Sequence, residues 1–249
     1  MEKGISATVI TYNEEENIRE CLESLNWVDE IIVVDSFSGD ETVSICREFG
    51  AKVYQHKWRG FAYQKNLSIE KASNEWILSI DADERVTPEL CDEIKGIFGN
   101  QQIFNGYYIP RKNYFLGREI RYGGWYPDYT IRFFNRQHGR FGLREVHEKV
   151  CINGETGYLQ KEIKHYSYRG ISEYILRMDR YAALSAIELK KKGVIFSVSD
   201  LLFRPPLTLF KMYILKQGFR DGIHGLLLAG LYASYTFLKY AKLWEIERV

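Results

Sequence analysis

The sequence has few cysteines, and none of them is spaced like a metal ligand or a redox pair. Cys21, Cys46, Cys91 and Cys151 lie far apart, without a Cys-x-x-Cys motif. This spacing implies neither a disulfide framework nor a zinc site, and it favours a reducing compartment. No signal-peptide hydrophobic region follows Met1, so we expect the body of the protein to be cytoplasmic.

The chain also lacks a strong net charge, which is +1 over 249 residues. This balance argues against a nucleic-acid-binding protein. The charge is unevenly distributed, however, because residues 171–249 contain 12 Lys/Arg and 7 Asp/Glu, a net charge of +5, whereas residues 1–170 carry −4. A basic C-terminal part on an acidic body indicates an anionic partner surface such as phospholipid headgroups.

No hydrophobic run is long enough to predict a membrane-spanning helix. The most apolar segment, residues 222–238, is interrupted by Gly, Ser and His and falls short of the roughly 20 residues needed. We interpret residues 204–242 as a helical, membrane-associating segment at the headgroup level. The alternative is a C-terminal helix that packs on the body or in a dimer interface.

The first strand is not followed by a Gly-x-Gly-x-x-Gly motif. Instead, Glu14, Glu15 and Glu16 stand at the start of the first predicted helix, where a Rossmann fold binds pyrophosphate. Three carboxylates would repel that anion, which disfavours an NAD or FAD dehydrogenase. A glycine-rich, basic phosphate loop is missing there as well, which disfavours a nucleotidyltransferase.

The first hundred residues do contain a regular alternation of strand and helix patterns. Apolar, β-branched runs at residues 5–12, 30–35, 52–54 and 76–81 each precede a segment of helical periodicity. The alternation predicts an α/β fold with a mostly parallel sheet flanked by helices. Polar-aromatic segments follow, with short strands or loops expected at 107–109, 130–134 and 146–150. We therefore predict a domain of residues 1–168, with halves 1–100 and 101–168, and a helical extension 169–249.

The strand that begins at Trp76 ends in the acidic sequence Asp81-Ala82-Asp83-Glu84. Residues one apart on an extended chain point to the same side, so Asp81 and Asp83 can face a common point past the strand. Ligands of open α/β sheets bind at that edge, and clustered carboxylates suit Mg²⁺ or Mn²⁺. The alternative is a pair of acids that cap the next helix.

Four short motifs carry a family resemblance through their order and spacing. They are Val9-Ile10-Thr11-Tyr12-Asn13-Glu14, Val33-Val34-Asp35-Ser36, Gln64-Lys65-Asn66 and Asp81-Ala82-Asp83-Glu84. In this order they resemble the family 2 inverting glycosyltransferases, which implies a GT-A fold. The segments Trp58-Arg59-Gly60-Phe61, Tyr126-Pro127-Asp128 and Val146-His147-Glu148 are similar to those of lipopolysaccharide-core glucosyltransferases.

The resemblance implies a set of donor- and metal-binding residues. Thr11, Tyr12 and Glu14 would surround the nucleoside, with Tyr12 stacking on the base, and Asp35 would accept a hydrogen bond from the base. Lys65 would approach the base or phosphates, and Arg132 would pair with phosphate oxygens. Asp81 would hold the ribose of the donor or the metal, and Ala82 would also bind the donor. Asp83 would bind the metal directly with His147, for which His165 is the reserve candidate.

The resemblance also implies a general base and an acceptor site. Asp128 is the base that we predict, although Pro127 stands where related enzymes have a second acid, and Glu148 or Glu145 are the alternatives. Trp125 and Tyr126 would stack on the acceptor sugar, or else pack in an aromatic core.

The reaction so implied is the inverting transfer of a sugar, glucose in our interpretation, from a UDP-sugar to a lipid-linked saccharide, with a divalent metal. We expect lipopolysaccharide inner core as acceptor and a peripheral position on the cytoplasmic face of the inner membrane. The alternatives are transfer to polyprenyl phosphate, transfer to a peptide, and a non-catalytic UDP-sugar-binding or membrane scaffold protein.

Overall fold

The computed structural model describes residues 4–99, 103–142, 149–168 and 170–248. The chain divides into two compact units, one of Met1–Arg111 with Asp128–His165, and the other of Lys112–Pro127 with Tyr166–Val249. Residues 112–127, which the sequence analysis assigned to the acceptor half, thus belong to the same unit as the C-terminal helices. The domain boundary after residue 168 stays a prediction.

The first unit begins with four parallel strands in the spatial order β3, β2, β1, β4. They are β1 (Ile5–Thr11), β2 (Glu30–Asp35), β3 (Lys52–Gln55) and β4 (Trp76–Asp81), and the connecting helices are α1 (Glu15–Glu23), α2 (Thr42–Glu48) and α3 (Phe61–Lys71). Strands β1, β2 and β4 are almost wholly buried, as expected of apolar strands covered on both faces. The predicted α/β architecture is confirmed.

Strand β5 (Glu84–Val86) and helix α4 (Pro88–Ile97) follow directly after β4. The hydroxyl of Thr87 accepts a hydrogen bond from the Leu90 backbone N–H at 3.2 Å, and Pro88 is the first helical residue. A capping side chain followed by proline is a common helix start, and it fixes the direction in which the chain leaves the acidic segment.

The rest of the sheet is mostly antiparallel. Its strands are β6 (Gly106–Phe115), β7 (Arg118–Glu119), β8 (Asp128–Asn135), β11 (Thr156–Tyr158) and β12 (Ile163–Tyr168), while β9 (Gly139–Phe141) and β10 (Val150–Ile152) form a separate pair. Strand β8 lies antiparallel to both β4 and β6, and β12 antiparallel to β5. The strands predicted at 107–109 and 130–134 are parts of β6 and β8; of the one predicted at 146–150, residues 146–148 lie outside the described residues.

A large apolar cluster holds β4 in place within the first unit. The Trp76 ring stacks on Phe133 of β8, with centroids 4.8 Å apart, and Phe98 contacts both rings edge-on. Stacked and edge-to-face aromatic pairs stabilise beyond the area they bury. The strand that ends in Asp81 is therefore fixed at its start by a packed aromatic group.

The second unit contains the C-terminal helices α5 (Ile171–Lys191), α6 (Val198–Phe210) and α7 (Ile223–Arg248). Between α6 and α7 lie a π-helical turn, Lys211–Leu215, and a 3-10 turn, Gly218–Asp221. Helix α7 packs against both α5 and α6, and the Ser185 and Tyr235 hydroxyls join α5 to α7 at 2.7 Å. The segment 222–238 thus lies in a helix that packs on its neighbours, and its predicted association with a membrane stays a prediction.

Helix α6 differs from its neighbours because none of its residues is buried, whereas α5 and α7 bury residues at helical spacing. Throughout the described ranges, each helix is too short or too polar to cross a bilayer.

Candidate active site

Three neighbouring strands end at the same edge of the sheet. In the parallel register Thr11 of β1 lies opposite Asp35 of β2, and Ile10 lies opposite Asp81 of β4. The sheet therefore brings Thr11, Asp35 and Asp81 to the carboxyl edge, where open α/β sheets bind ligands.

The Asp35 side chain is fully buried and is held by four hydrogen bonds from the chain itself. The donors are Thr11 Oγ1 at 3.1 Å, Ser38 N at 3.0 Å, Ser38 Oγ at 2.5 Å and Gln55 Nε2 at 3.2 Å. These bonds fix the carboxylate and tie the loop after β2 to the strand ends. The predicted hydrogen bond from a base to Asp35 stays a prediction.

Tyr12 and Glu14 follow β1 at the same edge. The Tyr12 ring is 59% exposed, so it is accessible for stacking. Glu14 is anchored through its backbone N–H, which donates to Thr42 Oγ1 at 2.8 Å. Their predicted contacts with a nucleoside remain predictions.

The Gln64-Lys65-Asn66 motif lies on α3, and all three side chains are buried. Gln64 donates to Ser36 Oγ at 2.8 Å, Lys65 pairs with Asp81 at 2.8 Å, and Asn66 exchanges two hydrogen bonds with the Phe141 backbone. Each residue thus holds a different segment against the helix. Because buried polar side chains usually find partners in neighbouring segments, this motif ties three segments of the chain to α3.

The Asp81 carboxylate lies between two cations. Its Oδ1 is 2.8 Å from Lys65 Nζ, and its Oδ2 is 2.5 Å from the guanidinium of Arg132. Burial alone would raise the pKa of Asp81, but the charges of Arg132 and Lys65 hold it well below its ordinary value. Arg132 is itself buried, and its predicted contact with phosphate stays a prediction. Ala82 is also buried, and its predicted contact with the donor likewise stays a prediction.

Glu84 is the buried centre of the network that continues from Asp81. Its Oε2 accepts a hydrogen bond from the Asp81 backbone N–H at 2.9 Å, and its Oε1 lies 2.6 Å from Arg132 and 3.5 Å from Arg111. Arg111 in turn pairs with Asp128, the predicted base, at 2.7 Å. A continuous series of charged contacts therefore joins Asp81 to Asp128.

Asp83 and His165 form a separate pair of metal-ligand side chains. The Nε2 of His165 lies 3.5 Å from Oδ2 of Asp83, because the antiparallel register of β5 and β12 places His165 opposite Glu84. A carboxylate and an imidazole suit a divalent cation such as Mn²⁺. The structure thus brings the reserve histidine to the predicted metal aspartate.

The other predicted metal ligand, His147, lies outside the described residues, as do the alternative bases Glu145 and Glu148. Within the described ranges, no group of three or more His, Cys, Asp or Glu side chains is arranged to hold a metal ion. The metal site of Asp83 with His147, or with the reserve His165, therefore stays a prediction.

The two predicted acceptor residues differ in their surroundings. Trp125 packs edge-on against Phe115 and Tyr232 in the aromatic core of the second unit, whereas Tyr126 is 43% exposed. Packing is therefore the observed environment of Trp125, and acceptor binding by either residue remains a prediction.

Sequence reasoning missed Glu84 and Arg111 as members of the site. Glu84 directly follows the Asp-x-Asp motif, and a third acid there was the available signal. Arg111 carried no signal, because only the pairing of β6 with β8 reveals that it lies opposite Asp128.

Comparison with known proteins gives a consistent assignment. The model of the family described as "Glycosyl transferase family 2" matches residues 6–160. A protein from Rickettsia felis named "Uncharacterized glycosyltransferase" is 33% identical over 98% of this chain and 90% of its own length. The Rhizobium meliloti protein named "Lipopolysaccharide core biosynthesis glycosyltransferase LpsC" is 29% identical over 97% of this chain and 92% of its own length.

A solved structure resembles the whole chain. TarS of S. aureus (residues 1–349), crystallised with UDP, covers 98% of this chain with 91% of its own, at 17% identity and a TM-score of 0.50. The likeness concerns the fold alone, and with it the predicted GT-A fold is confirmed.

Proposed function

Since the chain belongs to glycosyl transferase family 2, we propose that it transfers a sugar, glucose in our proposal, from a UDP-sugar to a lipid-anchored saccharide with inversion at the anomeric carbon. The acceptor is the inner core of lipopolysaccharide. Its relative LpsC, named for lipopolysaccharide core biosynthesis, supports this choice of acceptor.

One observation carries the proposal: the charged network at the carboxyl edge. Lys65, Arg132 and Arg111 alternate with Asp81, Glu84 and Asp128, and most of these side chains are largely buried. Burying so many charges is costly even when they are paired, and hydrophobic residues would serve stability as well. Clusters of this kind are concentrated at functional sites.

In this proposal the first half of the chain binds the UDP-sugar. The exposed ring of Tyr12 stacks on the base, and Thr11 with Asp35 and Glu14 delimits the nucleoside site. Lys65 and Arg132 provide positive charge near the diphosphate, while Asp81 holds them in position. TarS, which shares the fold, has been crystallised with UDP.

Asp83 and His165 would hold a divalent metal, Mg²⁺ or Mn²⁺, in our proposal. Their donor atoms, a carboxylate oxygen 3.5 Å from an imidazole nitrogen, fit such an ion, whereas both oxygens of Asp81 already contact Lys65 or Arg132. The metal when bound neutralises the charge that develops on the departing diphosphate.

Asp128 is the proposed general base that takes the proton of the acceptor hydroxyl. Arg111 holds its carboxylate at 2.7 Å, which sets the orientation of the oxygens toward the site. Proton transfer by a positioned side chain contributes about 10²–10⁴-fold to such reactions.

A lipid-anchored acceptor requires that the enzyme reach a membrane. We propose peripheral association with the cytoplasmic face of the inner membrane, through residues 204–242. The net charge of +5 on residues 171–249 favours an anionic surface.

The deciding experiment is UDP release from a panel of UDP-sugars, with and without EDTA, by the native chain, Asp83→Ala and Asp92→Ala. Asp92 is an exposed aspartate of α4 and serves as the matched control. We expect metal-dependent release from one sugar by the native and Asp92→Ala chains, and its loss in Asp83→Ala. If no UDP-sugar is either turned over or bound in calorimetry, the proposal is wrong.

A second measurement identifies the acceptor. The chosen UDP-sugar, carrying a radiolabel, is incubated with truncated lipopolysaccharide, with polyprenyl phosphate and with protein acceptors. We expect label in lipopolysaccharide, whereas label in the lipid-phosphate or protein fraction would contradict the proposed acceptor.

A further inference from the structure

Helix α6 and the turn after it expose a continuous apolar stripe. Phe203, Leu207, Phe210 and Ile214 are between 45% and 64% exposed, and their spacing of three or four residues places them on one side of the helix. Scattered exposed apolar residues are ordinary, but a contiguous patch marks a surface that contacts a protein, a ligand or a membrane.

A groove of about 260 Å³ lies beside this stripe, between α6 and α7. Its lining comprises three basic residues, two threonines, a leucine and a tyrosine: Arg204, Lys211, Lys239, Thr208, Thr236, Leu207 and Tyr240. The two threonine hydroxyls are 3.3 Å apart. Leu207 belongs to both surfaces, so the apolar stripe and the basic groove adjoin.

The positive charge of the groove is only partly balanced. Asp200 pairs with Arg204 at 2.6 Å, whereas in the described part of the chain neither Lys211 nor Lys239 has a carboxylate partner. Lys239 instead lies over the Tyr240 ring at 4.9 Å. Burial and the nearby charge of Arg204 lower the pKa of Lys239, as expected of an ammonium group that lacks a counter-ion.

We propose that this groove binds the phosphate headgroup of an anionic phospholipid while the apolar stripe enters the bilayer surface. The two lysine ammonium groups can pair with the oxygens of a phosphate group, and apolar side chains next to basic ones are typical of surfaces that lie at a membrane interface. The threonine hydroxyls shape the groove but already donate to the backbone oxygens of Arg204 and Tyr232. The inference rests on the membrane association in the proposed function and names its contact site.

The test is flotation of the purified chain with vesicles of phosphatidylcholine alone or with phosphatidylglycerol added. We expect binding only to the anionic vesicles. Each lysine near an anionic surface strengthens binding roughly fivefold, so Lys211→Gln with Lys239→Gln should weaken it about 30-fold. The matched control is Lys57→Gln with Lys161→Gln, which removes the same charge from exposed lysines of the other unit and should bind like the native chain.

The stripe is tested separately by Phe203→Ser with Leu207→Ser, against Leu176→Ser on α5, which is a more exposed leucine outside the stripe. We expect a loss of at least tenfold in vesicle binding for the first variant only. Circular dichroism confirms that each variant is folded.

Several outcomes would overturn the inference. Equal binding to both vesicle types, or equal weakening by the control lysines, would each contradict a lipid headgroup site. Donor turnover by the native chain is measured in parallel. Turnover without vesicle binding would contradict the lipid site in the groove but leave the proposed reaction standing. Vesicle binding without turnover would contradict the proposed reaction but leave the lipid site standing.

Discussion

Arg111 and Asp128 face each other across β6 and β8, and a 2.7 Å ion pair joins their side chains. Asp128 is the first residue of β8, so one of its two neighbours in the chain lies outside the strand. The ion pair with Arg111 holds the Asp128 side chain at this end of the strand. We therefore expect Arg111 to position the proposed base, and Glu84, whose Oε1 lies 3.5 Å from the Arg111 guanidinium, to hold Arg111 in turn.

We expect Arg111→Gln to lower kcat about tenfold, with little change in KM for the donor, because a misplaced base raises the barrier by roughly 1.4 kcal/mol. Steady-state kinetics with saturating acceptor measure the effect. Arg111→Lys, which keeps the charge, should recover part of it. Arg19→Gln removes an exposed ion pair with Glu48 and should have no effect. A change confined to KM would show that Arg111 acts in binding instead.

The effect of Glu84 on catalysis can be separated from its effect on stability, because the chain contains a second buried glutamate for comparison. Glu30 is also buried in a strand and accepts hydrogen bonds from Lys52, Ser6 and Ser73, but it lies at the opposite, amino end of the parallel strands. Loss of a buried, charged hydrogen-bond acceptor costs roughly 1–3 kcal/mol, and more for Glu84, whose partner Arg132 is itself buried. Both Glu84→Gln and Glu30→Gln should therefore lower the free energy of unfolding.

Only Glu84→Gln should also impair catalysis, by at least about tenfold in kcat/KM, because Glu84 holds Arg132, Arg111 and the Asp81 backbone. Urea unfolding and kinetics, at a temperature where both variants are folded, separate the two effects. If Glu30→Gln lowers kcat/KM to the same extent, the role of Glu84 is stability alone.

The pH dependence of the unfolding free energy provides an independent test of the lowered pKa of Glu30. Burial alone would raise its pKa, but the hydrogen bonds from Lys52, Ser6 and Ser73 lower it to about 2. In the unfolded state this carboxylate binds its proton near pH 4.5, and in the folded state only near pH 2. As the pH is lowered from 5 to 2, the unfolded state therefore binds more protons than the folded state, and the free energy of unfolding falls. We expect the native chain to exceed Glu30→Gln in unfolding free energy by up to about 3 kcal/mol at pH 7. The gap should narrow as the pH approaches 2, and a constant gap would contradict the lowered pKa.

The sequence predicted best where a single local pattern determines the structure. The bounds of β2 follow from an apolar run of residues 30–35 and are as predicted. The first helix shows the limit of such patterns. Asparagine is a common N-cap residue, but Glu14 rather than Asn13 takes that place, because Asn13 adopts φ +54° and accepts a hydrogen bond from Gly39 N.

Contacts between strands and helices that are distant in the sequence could not be predicted from local sequence patterns. Arg111 meets Asp128 only because β6 and β8 pair, and His165 meets Asp83 only because β12 pairs with β5. Likewise, the apolar composition of residues 222–238 fits both a membrane surface and a packed helix. The structure shows the packing of this segment on α5 and α6, and its contact with a membrane stays a prediction.

The last prediction concerns the close contact that seats α7 in its unit. A Cβ atom on Gly225 would lie 1.9 Å from the backbone oxygen of Gly218, whereas one on Gly230, in the same helix, would meet nothing within 4 Å. Alanine is a better helix former than glycine by about 1 kcal/mol. Gly230→Ala should therefore raise the urea midpoint of unfolding, while Gly225→Ala should lower it, because the backbone of the 3-10 turn must move. If Gly225→Ala is as stable as Gly230→Ala, the helix and the turn are not in the close contact described.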